Sequence, residues 1–245
     1  MKTKKLQYGL TLTELLTVIA IIVVLAVVSM PAMNAIFSSM GSSGSAEAMI
    51  NAALSNARAT AMSRQRYVGV RFQKIYDSRG PLYADQYMIF VINEPGLENS
   101  SGYPVQNAYR ALEGTKPIKL PSETAVLDVS DDMYEEDIDN LTDRSTFTII
   151  FAPSGNLKIE QTVQVLRFSD ADPIFNNTSA TDCMFQDDFG NDPLFVSETS
   201  RRSFYIYDRN KFKNAYKSGT PFTDYLFNLS PVYINPYTGK IISTD

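Results

Sequence analysis

From Leu15 to Val28 every position is apolar except Thr17, and no charged residue follows Glu14 until Glu47. Carried on through Ala32 or Ile36, the run reaches the roughly 20 residues that cross a bilayer, and in lipid such a segment must be helical to satisfy its own backbone. The pattern therefore predicts a transmembrane helix over 10–37. Pro31 falls inside it, where a missing N–H and a bulky ring bend a helix. Residues 38–45, rich in Ser and Gly, have low helix propensity and mark a soft point. Apolar positions then return at helical spacing: Ala46, Met49, Ile50, Ala53, Leu54, Ala57, Ala61 and Met62 form one stripe, with Glu47, Asn51, Asn56, Arg58 and Arg64 mostly elsewhere. That is an amphipathic helix suited to lie against a sheet.

Beyond residue 66 the period shifts towards two. Val68, Val70 and Phe72 alternate on one strand face, and Tyr87–Ile92 forms a fully apolar strand. Further strands are expected at Ile118–Leu120, Ala125–Val129, Thr146–Ala152, Leu157–Phe168 and Ser203–Tyr207. The last is Pro231–Ile242, split by a turn at Asn235–Gly239. One helical stretch followed by many short strands predicts an α+β fold: a long N-terminal hydrophobic helix packed on an antiparallel β-sheet globular domain. The domain plan is a leader at 1–9, the transmembrane helix at 10–37, the soft segment with its amphipathic continuation at 38–66, and a β-rich domain at 67–245.

Charge adds orientation. Lys2, Lys4 and Lys5 precede the apolar run and should stay cytoplasmic, leaving the C-terminal bulk outside. The net charge of −5 becomes −8 once those three lysines are removed, which argues against nucleic acid as a partner. Histidine is absent and Cys183 is the lone cysteine. These facts exclude His-dependent nucleophile systems, imidazole zinc sites and an intrachain disulfide. With no phosphate-binding loop either, the chain does not read as an enzyme.

A secretory signal would place small residues for cleavage after the apolar run. Here the polar leader instead ends in Gly9, ahead of it. On Gly9, Leu10 and Glu14 the chain resembles the type IV prepilin family, whose peptidase cuts after a Gly and leaves the hydrophobic helix on the mature subunit. The resemblance implies cleavage between Gly9 and Leu10. Leu10 would carry the new, N-methylated amine, although the family usually has Phe there. It also implies that Glu14 pairs with the amine of a neighbouring subunit during assembly, and that Pro31 sits where pilin anchors commonly kink.

Two later segments extend the likeness. Asn56–Met62 followed by Arg66–Val70 looks like the helix-to-strand passage of the GspH/FimT minor pseudopilins. Phe147–Leu157 looks like their strand–turn segment, in which Pro153 fixes φ and Gly155 accepts a positive φ. The acidic run Asp128–Asp139 reads first as a solvated face. Asp187, Asp188, Asn191 and Asp192, around Gly190, form the more compact candidate for Ca²⁺, a hard cation suited to carboxylate oxygens. They lack the full EF-hand pattern, and no other cofactor is implied. The aromatics of Phe204–Tyr207 read as core and cross-strand packing.

The resulting expectation is a pilin-like minor pseudopilin of a type II secretion system. It would sit in the bacterial inner membrane by a single pass, with a cytoplasmic N-terminus and a periplasmic domain. Its partners would be other pseudopilins or pilins, the prepilin peptidase, the inner-membrane assembly platform and the lipid bilayer. The alternatives are a minor pilin of a type IV pilus or competence system, and a membrane-tethered binding module that does not polymerise.

Overall fold

The computed structural model describes residues 42–75, 77–129, 144–166, 194–219 and 225–242. All belong to one compact unit, Ser42–Asp245. It opens with helix α1 (Ser42–Arg64), whose buried stripe is Ala46, Ile50, Ala53, Leu54, Ala57 and Ala61. Small residues at this spacing let the helix lie close to strands. Gln65, just past the last turn, takes a left-handed conformation (φ 53°), and the Arg66 amide bonds back to the Ala61 carbonyl at 3.2 Å. This is the usual geometry of a helix end, here without glycine.

The first sheet contains β1 (Val68–Lys74), β2 (Gln86–Asn93), β3 (Ala108–Ala111), β4 (Ile118–Lys119), β6 (Phe147–Phe151), β7 (Leu157–Lys158), β8 (Thr162–Leu166) and β9 (Phe195–Thr199). Its order is β7-β6-β1-β2-β3-β8-β9, with β4 also on β2. The second sheet is antiparallel, in the order β12-β11-β10-β5, from β5 (Thr124–Asp128), β10 (Ser203–Asp208), β11 (Val232–Ile234) and β12 (Ile241–Ile242). Helix α2 (Arg209–Lys217) follows β10 directly.

The first sheet curls until its far ends meet. Thr148 of β6 and Ser200, just after β9, form a bridge, and the Arg201 amide donates to the Thr148 carbonyl at 2.9 Å. Curling buries both faces of β1. Val68, Val70 and Phe72 join Ile50, Leu54, Ala57 and Ala61 of α1, together with Val126 and Phe204 of the second sheet. On the opposite face, Ile89, Val91, Tyr109, Ala111, Ile150, Val163 and Val165 form a separate interior cluster. Phe72 and Phe147 stack at 4.9 Å, and Phe204 sits 5.9 Å and 6.2 Å from them. This aromatic trio joins the sheets, and each such pair adds about 0.5–1.5 kcal/mol beyond simple burial.

The expected reversal at Pro153–Gly155 is present. Phe151 pairs with Leu157, Gly155 has φ 82°, and its amide bonds the Ala152 carbonyl at 2.8 Å. The single strand expected at Leu157–Phe168 is two elements, β7 and β8, separated at Glu160, whose φ is 54°.

Two expectations are corrected. The fold is not a long hydrophobic N-terminal helix packed on an antiparallel sheet. Among the described residues strand outweighs helix, and the larger sheet is curled and mixed, because β3 and β8 run parallel with Ala108 opposite Gln164. The helix that opens this unit is alanine-rich and polar on its outer side, so its burial is confined to one stripe. The single-pass inner-membrane placement is likewise not carried forward, since among the described residues no helix is long and apolar enough to cross a membrane. The segment on which that expectation rested, 10–37, lies outside the described residues.

Candidate functional site

Gly9, Leu10, Glu14, Pro31, Asp187, Asp188, Asn191 and Asp192 all lie outside the described residues, so the structure brings none of them together. Of the acidic run, Asp128 is described and lies at the end of β5. Phe204 belongs to the inter-sheet core, while Tyr205 and Tyr207 pack with Phe212 of α2 on the other face of the second sheet. The polar chemistry of the described residues is concentrated elsewhere, in three ionic groups each anchored by a buried side chain.

The largest lies where β1, the turn at 77–85 and α2 converge. Asp208 caps α2, its Oδ1 accepting from the amides of Asn210 at 2.8 Å and Lys211 at 3.0 Å. The cap fixes Arg209 as the first helical residue. Its guanidinium turns inward to donate to Asp85 Oδ1 (2.9 Å), Ser122 O (2.8 Å), Tyr83 O (2.7 Å) and Ala84 O (2.7 Å). Lys119 Nζ holds the other Asp85 oxygen at 2.5 Å. Burial works to raise Asp85, but the bonds from Lys119 and Arg209 outweigh it and hold the carboxyl below its ordinary range.

Lys74, at the end of β1, is fully buried beside this group and donates to Pro81 O at 2.9 Å, with Tyr207 Oη 3.4 Å away. Burial first, then repulsion from Arg209 and Lys213, lowers it to about 7. Burial pushes the Tyr207 hydroxyl up. An amine poised near neutrality is a familiar catalytic device. Lys74 is closed off from solvent, however, so it fastens the turn to the sheet and presents no reactive group to a substrate.

The second group lies inside the curled sheet. Arg71 Nε and Nη2 donate to Glu198 at 3.1 Å, Thr148 Oγ1 also donates to that carboxylate, and Gln73 Oε1 accepts from Arg71 Nη1. Burial pushes the Glu198 carboxyl up despite the facing Arg71. The third group is Asp128 with Arg201, whose Nε lies 2.7 Å from Asp128 Oδ2. Burial, the dominant influence, raises Asp128 against the pull of Arg201.

Sequence reading missed all three groups. Period-two alternation on β1 marks Arg71 and Gln73 as solvent-facing, whereas the curl places them inside. The available signal was Asp208, a good N-cap ahead of a short basic stretch. Among the described residues no group of three or more His, Cys, Asp or Glu side chains is placed to hold a metal.

No family model matches the chain, and no curated protein or solved structure is significantly similar to it.

Proposed function

We propose that this chain is a filament subunit of the pilin type, serving as a minor pseudopilin in type II protein secretion. The observation that carries the reading is the spacing at the N-terminus. Gly9 is followed by Leu10, Glu14 stands four residues further on, and the apolar run to Val28 contains no other charge. Cleavage after Gly9 would create an α-amine on Leu10 that is mostly protonated at neutral pH. In a bundle of apolar segments, an unpaired carboxylate costs several kcal/mol and so seeks a cation. The amine of an adjacent subunit supplies it and fixes the stagger between subunits.

The test has two arms. Mass analysis of the mature chain should begin at Leu10 and show whether its amine carries a methyl group. Glu14→Ala should abolish incorporation into filaments and the secretion that depends on them, while leaving the Ser42–Asp245 unit folded. A mature chain that still begins at Met1, or assembly unchanged by Glu14→Ala, overturns the reading.

A further inference from the structure

The Lys74 amine lies in a cluster where positive charge is in excess. Arg209 and Lys213 of α2 repel it, and Asp85 attracts it. Asp85 is already divided between Arg209 and Lys119. Asp77 of the turn is bonded to Arg79, and both of these also act on Lys213. Among these groups two carboxylates, Asp77 and Asp85, stand against the cations Arg79, Lys119, Arg209 and Lys213, before Lys74 is counted. Among the described residues no carboxylate is within ion-pair distance of Lys74 Nζ. Its partners are two uncharged oxygens, Pro81 O at 2.9 Å and Tyr207 Oη at 3.4 Å. An ammonium has three N–H groups to satisfy and a neutral amine two, so these surroundings suit the neutral form.

A second observation comes from Arg209. Its terminal nitrogens make all four of its bonds to Asp85, Ser122, Tyr83 and Ala84. Its Nε is buried and finds no hydrogen-bond partner among the described residues. Buried N–H groups are rarely left so. A neutral, nucleophilic amine and an unused donor thus share one electropositive cluster, and both are suited to an anionic oxygen. The closed surroundings restrict how one can arise. Lys74 is 0% exposed, and carrying a ready-made ion into such an interior is costly. Carbon dioxide is small, uncharged and apolar, and it reacts with neutral amines.

We propose that Lys74 is a carbamate-forming site, where CO2 adds to the buried amine and the product is held by Tyr207 and Arg209. The nitrogen lone pair forms a bond to carbon, one C–O π pair moves onto oxygen, and one N–H proton is released to water. The carbamate nitrogen keeps its other N–H, which donates to Pro81 O as the amine does. The two oxygens carry the negative charge and accept from the Tyr207 hydroxyl and from Arg209 Nε. Burial pushes the Tyr207 hydroxyl up, so it remains a donor. Modification turns a repelled amine into an anion set among cations, and tightens the clasp between the turn at 77–85 and α2. It does not depend on the filament reading.

The full-length chain in mild detergent is equilibrated with isotope-labelled CO2 and bicarbonate at fixed ionic strength and followed by carbon NMR. Exposed amines and the α-amine also form carbamates, and these persist in Lys74→Met. The difference between parent and Lys74→Met therefore isolates the buried site, and a carbamate resonance is expected in it. At fixed dissolved CO2 its intensity should grow as the pH is raised through about 7, where the amine loses its proton. Tyr207→Phe keeps the ring but removes the donor, and should lower the occupancy about tenfold. In parallel, CO2 at about ten times its half-saturating level should raise the Tm of the parent by roughly 3–5 °C and leave Lys74→Met unmoved. A difference spectrum without the resonance, or equal Tm shifts in the two chains, overturns the proposal. Occupancy unchanged in Tyr207→Phe overturns the site as drawn.

Discussion

The side-chain amide of Gln86 serves Val126 as a neighbouring strand would. Gln86 Oε1 accepts from the Val126 amide at 2.7 Å, and Nε2 donates to the Val126 carbonyl at 3.1 Å and to the Ser145 carbonyl at 2.7 Å. Val126 lies on β5, the last strand of the second sheet, and its outward backbone groups are buried. One glutamine from β2 therefore closes that edge and ties the two sheets together.

Gln86→Ala strands three buried backbone groups and opens a small void. Buried groups left unsatisfied cost about 1–3 kcal/mol each where nothing replaces the bond, and relaxation recovers part of this. The expected loss is roughly 2–4 kcal/mol. A urea titration measures it, and a midpoint equal to that of the parent chain would refute the role given to Gln86.

Lys74 sets a pH dependence. Its folded value, lowered from 10.5 to about 7, means that between those values the unfolded chain binds a proton the folded chain does not. Stability therefore rises with pH through this window, and the penalty for charging the buried amine is complete below it. The gain from pH 7 to pH 9 is about 2 kcal/mol. The groups facing Lys74 are Arg209, Lys213, Asp85 and Tyr207. The Asp85 carboxyl, held below its ordinary range, stays ionised throughout, and the raised hydroxyl of Tyr207 keeps its proton. Lys74→Met should flatten the profile, and equal slopes in parent and variant would contradict the assignment.

Arg71 and Glu198 make a buried ion pair at 3.1 Å, their side chains 0% and 7% exposed. Glu198→Leu alone removes the carboxylate that faces Arg71 in the curled interior and should cost about 3–5 kcal/mol. Arg71→Met combined with Glu198→Leu should recover most of that loss, because a packed apolar pair avoids the desolvation that the charges incur. The four members of this double-mutant cycle, compared by thermal denaturation, give the coupling. Additive losses would show that the pair acts independently.

Gly69 of β1 lies opposite Ile150 of β6, with no room for a side chain. A Cβ at this position would lie 2.4 Å from the Ile149 carbonyl oxygen and 2.7 Å from Ile150 Cδ1. The first obstacle is backbone and cannot swing aside, so Gly69→Ala should destabilise by about 1–3 kcal/mol. Gly44→Ala, at a helical site with nothing within 4 Å, is the control and should be neutral or slightly stabilising.

Elements with strong periodicity were legible in the sequence, and those defined by tertiary context were not. The stripe from Ala46 to Ala61 and the alternation of Val68, Val70 and Phe72 point to α1 and β1 because apolar spacing reports burial on one face. The second buried face of β1 is invisible to that reasoning, since Arg71 and Gln73 look like solvent positions until Glu198 arrives from a strand more than a hundred residues away. β3, with the sequence Ala-Tyr-Arg-Ala, has too little apolar contrast to stand out. Its parallel pairing with β8 is set by the path of the chain. α2 was missed because only Arg209 and Phe212 of its residues are buried. The N-terminal motif shows the converse case: Gly9, Leu10 and Glu14 are legible in sequence yet lie outside the described residues.

The meeting of Thr148 with Ser200 has a further consequence. Sheets with long open margins invite strand-by-strand addition of foreign chains and, in the extreme, amyloid growth. Here the margin of β6 is shared between β7 and residues 200–201, and the Leu157 amide of β7 is itself occupied by the Pro236 carbonyl at 2.7 Å. Crowded copies of this domain thus find no ready backbone template along that margin, and orderly association is left to side chains.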